Sequence, residues 1–354
     1  MNGEPIHIAA PGAATAVGRD AWASAAAVRA GISGFVEHPW MIDRAGEPMR
    51  AAPAPWLDPG LSGAARLAAL LLPAVAQALS PVTDLPEGAE PVRTGLVLGL
   101  PAPRPGLDAD VRAALVAAVR AGFGDRLAGI EVFPAGHAAG LLALGAAARL
   151  LHQGALDACV VAGVDSYLEA ETLEWLEHCG QLHGAGTLNN AWGFVPGEGA
   201  GAVLAMRRPV AARLGCGSLG RILSVGAGME ACRIKTRTVC TGAGLTQAFR
   251  QALAPLAGGD GAITDVYCDM NGEPYRADEY AFTAVRTKEA FVSVSDFIAP
   301  ADCWGDVGAA GAPLHLALAA IAGAKGYARG KLAFTWASAE GGERAAALMA
   351  TGWR

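Results

Sequence analysis

The chain has 354 residues and a formal net charge of −6, an acidic balance that argues against a nucleic-acid partner. Hydrophobic content is 53%, much of it Ala, yet the longest apolar stretches (64–79 and 140–151) are interrupted by Arg or Pro and fall short of the ~20 residues of a membrane span, so no membrane partner is expected. The opening MNGEPIHIAAPG shows no basic stretch followed by an apolar one, so no signal peptide is expected, and seven cysteines without CxxC or metal-type spacing read as reduced thiols of a cytoplasmic protein with no metal and no cofactor.

In chain order, a strand is predicted at 6–9, followed by a Pro/Trp/Met-rich loop at 36–59. A helix at 64–79, a strand at 94–98 and a helix at 109–121 come next. A β-type run at 130–133 leads through a Pro-Ala-Gly turn into an Ala/Leu helix at 138–152, then a strand at 158–164. Further strands are predicted at 202–206, 222–225, 263–269, 290–293 and 332–336, with helices at 245–256 and 309–324. The alternation argues for an α/β protein with buried sheets. Each half closes on a long small-residue helix followed by a strand, 138–152 then 158–164 and 309–324 then 332–336. Two similar α/β halves packed face to face and joined near 207–220 are expected.

One position stands out. In IEVFPAGHAAGLLALGAAARLL (130–151), His137 occupies the strand-to-helix corner. Unpaired N–H groups at a helix start favour a thiolate or oxyanion there, and a histidine gains nothing comparable.

The run Trp192 to Met206, WGFVPGEGAGAVLAM, closely resembles the GFVxGEGAG stretch of β-ketoacyl synthases. APGAATAVGRDAWASAAAVRAGISG resembles their first strand, turn and helix. The segment around His137 resembles their nucleophile elbow, and 158–166 the strand after it. The resemblance covers most of the chain. It implies an α/β thiolase-like five-layered α-β-α-β-α fold, with residues 1–210 as the N-terminal half and 211–354 as the C-terminal half. It also implies a dimer, with 158–164 buried across the twofold.

Members of that family use a Cys nucleophile and two histidines that help decarboxylate a malonyl donor and stabilise the enolate. On these motifs the nucleophile position falls on His137. The first histidine falls on Asn271 in YCDMNGEPYRADEY, and the second near Gly305 and Asp306 in ADCWGDVGAAG. The lysine before that turn is matched by Pro300 and Ala301. Glu340, in SAEGG, replaces the gating aromatic. The resemblance thus implies a degenerate catalytic set of His137, Asn271 and Asp306, and without a thiol no acyl-enzyme thioester forms. Of seven histidines, only His137 is placed at a candidate corner.

The residues themselves leave choices. His137 is a base, an acyl acceptor or a ligand, or it fills a vacated pocket against a backbone carbonyl; the last is favoured, because no partner is visible in the sequence. Asn271, Glu273, Tyr275, Arg276 and Asp278 form either a remodelled pocket, with Arg276 for a carboxylate or phosphate, or a salt-bridged loop. Asp306 and Glu340 would join them and repel a malonyl carboxylate. Carboxylates with His137 could mimic a metal set, but no pair has local ligand spacing. Glu198 reads as structural and Cys268 and Cys303 as ordinary buried thiols. Trp175, Trp192, Trp304 and Trp336 read as core or interface anchors.

Two functions follow. One is a non-condensing pseudoenzyme acting as a binding or scaffolding partner. It would be a homodimer, or a heterodimer with a ketosynthase-like subunit as a chain-length-factor-like partner, with acyl carrier protein nearby; or it would be a helper for a type VI secretion effector, as DMNGEPYRADEY resembles that subgroup. The other is an acyltransferase or hydrolase of changed chemistry, using His137 with Asn271 or Asp306.

Overall fold

The computed structural model describes residues 4–85, 90–184, 190–234, 236, 238–257 and 262–352. β1 (Ile6–Thr15) leads into α1 (Ala21–Arg29), whose start is capped by Asp20 accepting from the N–H groups of Trp22 and Ala23 at 2.9 and 2.8 Å. β2 (Val36–Ile42) and β3 (Pro48–Ala51) pair as a hairpin where the sequence predicts a loop. Their ladder is interrupted between Glu37 and Ile42, so the segment carries no clean alternation.

α2 (Gly63–Thr83) corrects the expectation from apolar runs. It has 21 residues and is long and apolar enough to cross a membrane by length and composition. Here its Leu67, Leu70, Leu71, Ala74, Val75 and Ala78 are buried on the sheet instead. There follow β4 (Thr94–Gly99), α3 (Val111–Phe123), β5 (Ile130–Phe133), α4 (Ala139–His152), β6 (Ala158–Ser166), α5 (Ala170–His178) and β7 (Glu198–Met206). α6 (Arg208–Arg213) joins β7 to β8 (Gly220–Met229). The remainder is α7 (Ala243–Leu253), β9 (Asp265–Cys268), α8 (Pro274–Thr287), α9 (Ala301–Trp304), α10 (Gly311–Ala324), β10 (Leu332–Ser338) and β11 (Glu343–Thr351).

Among the described residues nine strands form one ladder in the order β5-β4-β6-β7-β1-β8-β11-β10-β9. The join in the middle is thin. β1 pairs with β7 along nearly its whole length, but with β8 only at Ile6–Ile8 against Gly220–Ile222. The ladder therefore bends into two facing sheets. α4 packs on β4 and β6 to one side and on β8 and β11 to the other, and α10 lies between β1 and β7 on one side and β9 and β10 on the other. α2 and α3 cover the first sheet, and α7 and α8 the second. Five layers result, helices alternating with sheets.

Small residues make the middle layer thin enough. A Cβ on Gly140 of α4 would come 2.4 Å from Pro313 Cδ of α10, and one on Gly201 of β7 would come 2.6 Å from the Leu314 nitrogen. The same Ala-richness hid elements from the sequence. β11, buried on both faces, shows no alternation. α8 reads as a polar loop, although Tyr280, Thr283, Ala284 and Thr287 make its buried stripe. The strand predicted at 290–293 is absent; a 3-10 turn at Lys288–Ala290 and a single bridge from Phe291 to Ile263 stand there. β6 is hydrogen-bonded to β4 on one side and β7 on the other, so it cannot pair across a twofold. Among the described residues the outer edge of β5 carries no strand, whereas that of β9 is bridged by Ile298, which bonds Val266 and Cys268.

Candidate functional site

Three chain ends converge on His137. β5 stops at Phe133, Pro134 and Ala135 turn the chain, and Gly136 takes a φ of 54°, a conformation that favours glycine. His137 follows at the foot of α4. β9 delivers Asp269, Asn271 and Glu273, with Arg276 in the first turn of α8. The turn between α9 and α10 delivers Asp306, held like a strand: its N–H donates to Val195 O and its carbonyl accepts from Gly197 N–H, both at 2.8 Å. A Cβ on Gly197 would lie 2.2 Å from the Trp304 carbonyl oxygen. The first glycine of GEGAG is what lets that segment lie against the Asp306 turn.

The side chains form a closed network. His137 Nε2 lies 2.8 and 2.9 Å from the two Asp306 oxygens. Asp306 also accepts from Gly308 N–H at 2.8 Å and from Asn271 Nδ2 at 2.6 Å. The Asn271 amide donates in addition to Glu273 Oε2 at 2.9 Å. Arg276 donates to Asp269 at 2.5 Å, to the Ser338 carbonyl at 2.9 Å and to Glu273 at 3.3 Å. Its Nη2 stands 3.1 and 3.4 Å from Nε2 and Nδ1 of His137. Gln181 donates to Glu273 at 2.9 Å and to Glu340 at 2.7 Å, tying the 338–342 turn into the network. Arg276 is 0% exposed, Asp306 5% and His137 6%.

Burial alone lowers the His137 pKa, but the Asp306 charge opposes burial, and despite the Arg276 cation the pKa stands above its ordinary value. Burial pushes Asp306 up; the His137 charge and hydrogen bond, with Arg276 and the Gly308 N–H, hold it far below the usual carboxylate range. Both shifts favour the charged imidazolium–carboxylate form of the pair over the neutral one. His137 is not free to take a proton from a substrate without breaking that pair.

Space at the site is small. The cavity lined by His137, Cys268, Asn271, Asp306 and His315 measures about 20 Å³, room for a single water. On the other side of His137, Arg104, Tyr167, Trp175 and Glu340 border about 50 Å³.

The sequence reading placed one histidine here, and the structure places two. His315, one turn into α10, is buried in the same cavity, and its Nδ1 has no partner among the described residues. Burial pushes its pKa down to about 3, so it is neutral beside a charged neighbour. The small-residue run Gly311–Ala324 offered the signal, since a lone histidine inside an otherwise apolar helix faces the core wherever it points.

A family model described as Beta-ketoacyl synthase, N-terminal domain, matches residues 131–211. Similar solved structures include the AntDE:AntF complex of a type II acyl-carrier protein with its ketosynthase (TM-score 0.81, 14% identity, covering 98% of this chain and 99% of that one). The ishigamide ketosynthase/chain length factor is similar at TM-score 0.69 and 23% identity (98% and 99%), and a β-ketoacyl synthase from Burkholderia phymatum STM815 at 0.74 and 17% (99% and 100%). The chain is β-ketoacyl synthase-like. At these identities the structural likeness is one of fold, of the thiolase type. No curated protein matches the sequence.

In this ketosynthase-like chain, His137, Asn271 and Asp306 share one cluster, joined by Glu273 and, through Gln181, by Glu340. Of the two readings of Arg276, ligand-binding or salt-bridged, the geometry fits the second: its guanidinium is engaged by Asp269 and Glu273. Tyr275 is half-buried, with a hydroxyl that has no protein partner, and Asp278 is exposed on α8, outside the cluster. Cys268 lines the small cavity, but its thiol donates to the Ile298 carbonyl at 3.7 Å and burial drives its pKa far up. Cys303 is buried and does not line it. Glu198 is fully buried, bound to Arg66, the Ala54 N–H and Ser166. Trp304 and Trp336 are core; Trp192, at 70% exposed, is not an anchor within the chain.

Among the described residues one set of possible metal ligands, Glu230, Cys240 and Glu279, has ligand atoms within 4.8 Å of one another. Both carboxylates are already satisfied, Glu230 by the Gly244 and Cys232 N–H groups and Glu279 by Arg344 and Ser338.

Proposed function

We propose that this chain is a non-condensing ketosynthase homologue that acts as a binding or scaffolding partner. The observation that carries this is the plugged site. Where a nucleophile and enolate-stabilising donors would have to meet an acyl group, an ion pair between His137 and Asp306, braced by Asn271 and Arg276, leaves about 20 Å³. A small-molecule site needs roughly 300 Å³ or more. Asp306 also puts a negative charge where a malonyl carboxylate would have to approach.

The partner is a ketosynthase-like subunit, with acyl carrier protein as the third component; the similarity to a ketosynthase/chain length factor and to a ketosynthase–carrier complex supports this. The contact surface is the free edge of β5, the strand that leads into His137. The Leu96 N–H bonds Gly129 O and the Leu100 N–H bonds Phe133 O, so the odd-numbered residues face β4. Ile130 and Val132 then turn their backbone groups outward.

The acyltransferase or hydrolase reading draws on the same His137–Asp306 pair, because an oriented histidine is what a general base needs. It also needs a substrate atom within reach, and the volume beside His137 does not admit one. The test is incubation with acyl and malonyl thioesters, followed by intact-mass spectrometry and product analysis. No covalent adduct, no β-ketoacyl product and no thioester hydrolysis are expected. An acyl adduct on Cys268 or His137, or hydrolysis lost in His137→Asn, overturns the reading. Purification from native cells should bring a ketosynthase-like subunit along; a secretion effector in its place would move the scaffold role to that partner.

A further inference from the structure

A second cavity lies beside β9, and neither His137 nor its partners line it. It measures about 320 Å³ and is lined by Ala25, Val28 and Arg29 of α1, Asp265 and Tyr267 of β9, Ile298, Leu318 of α10, Tyr327 and Arg329. That size is within the ~300–1,000 Å³ range of small-molecule sites. Its floor is aliphatic, from Ala25, Val28, Ile298 and Leu318. Its polar groups are unusual in being unmatched. Tyr267 is only 4% exposed, yet its hydroxyl bonds to no described residue. The Tyr327 hydroxyl is likewise without a hydrogen-bond partner among the described residues. The Arg29 guanidinium lies 4.3 Å from the centre of the Tyr327 ring and has no carboxylate partner among them.

The other charges in the wall are taken. Asp265 accepts from the Arg329 N–H at 3.1 Å and from the Thr264 hydroxyl at 2.7 Å, and the Arg329 guanidinium is paired with Asp296. What the described residues leave unpaired is one surface cation, Arg29, and two phenol hydroxyls over an apolar floor. A tyrosine in a cavity wall whose hydroxyl has no protein partner offers a donor to an acceptor. A stacked, unpaired guanidinium calls for an anion.

We propose that this cavity is a binding site for a small monocarboxylate with an apolar body, its carboxylate held by Arg29 and the Tyr267 and Tyr327 hydroxyls and its body on Val28, Ile298 and Leu318. The site is separate from the His137 network and does not depend on the function proposed above.

Sodium benzoate is the probe, with benzamide as the neutral control of the same shape. Binding is followed by calorimetry and by the melting temperature of the full chain. Saturable millimolar or tighter binding of benzoate is expected, with benzamide at least ten-fold weaker. Arg29→Gln should weaken benzoate about ten-fold and Tyr267→Phe several-fold. Arg29 is at the surface and the tyrosine change removes one oxygen, so both variants should keep the parent melting temperature without probe. No saturable benzoate binding, equal binding of benzamide, or unchanged affinity in both variants overturns the proposal. His137→Asn should leave benzoate affinity unchanged; a loss there would place the probe in the other cavity and overturn it as well.

Discussion

Arg276 Nη2 stands 3.1 Å from His137 Nε2, a guanidinium against an imidazole inside the protein. The contact is tolerable only because Asp269, Glu273 and Asp306 surround it. The arginine is thus a counter-ion to two carboxylates before it is a neighbour of the histidine. Arg276→Met should leave Asp269 and Glu273 buried and unpaired, at a cost of about 3–5 kcal/mol. The urea midpoint of the variant measures this; a loss under 1 kcal/mol would mean that the carboxylates find other partners.

Stability should peak near pH 6.5, because two histidines in one cavity are shifted in opposite directions. The folded chain keeps the His137 proton above the pH at which the unfolded chain releases it. That contribution is complete below the ordinary value of 6.5 and is lost as pH rises through the higher folded value. His315, pushed down to about 3, refuses a proton that the unfolded chain takes up below 6.5, so its contribution drains away as pH falls from 6.5 toward 3. Each limb is limited to about 1.4 kcal/mol per pH unit. Urea midpoints from pH 4.5 to 9 should show the maximum. His315→Leu should flatten the acid limb and His137→Asn the alkaline one.

A thiol can be put back without restoring the chemistry. In His137→Cys the new side chain sits at the start of α4, where a thiolate is favoured, but it also faces Asp306, which disfavours it. The single variant should react with iodoacetamide more slowly than His137→Cys combined with Asp306→Asn, by about ten-fold. Neither should condense acyl and malonyl thioesters, since no histidine stands at 271 or 306 to donate to an enolate. Condensation by either variant would show that the vacated-site view is wrong.

The β5 edge gives the association test. Val132→Pro removes an N–H that points away from β4, so the chain's own ladder should survive while pairing across the edge fails. Sedimentation should show a partner or self-association constant weakened at least ten-fold with an unchanged circular-dichroism spectrum. Unchanged association would move the interface elsewhere.

Much of the architecture was legible because its elements announce themselves in different ways. Leu67, Leu70, Leu71 and Ala74 give α2 a helical period, and Gly197 to Gly201 mark a segment that must lie close to other backbone. The strands beside the middle layer were harder. β11 is Ala-rich and buried on both faces, and neither alternation nor turn chemistry betrays it. At the site, His137, Asn271 and Asp306 could be placed from motif spacing, since each follows a recognisable strand or turn. His315 and Gln181 could not. One lies on a helix whose every face is buried, the other in a loop, and their part in the cluster comes only from the packing of distant elements.

The three residue pairs that join β1 to β8 bear on how the chain is made. β1 leaves the ribosome about 200 residues before either of its partner strands, which at ~5–20 residues per second is a wait of roughly 10–40 s. During that time Ile6, Ile8, Ala10, Ala13 and Ala14 have no sheet to enter, although all five end up buried. The seam between the two sheets is therefore closed by strands about 200 residues apart, a non-local contact of the slow kind. A chaperone that shelters apolar strand would act on β1 first, and yield in cells should be more sensitive to substitutions in Ile6–Ala14 than the melting temperature of the finished protein is.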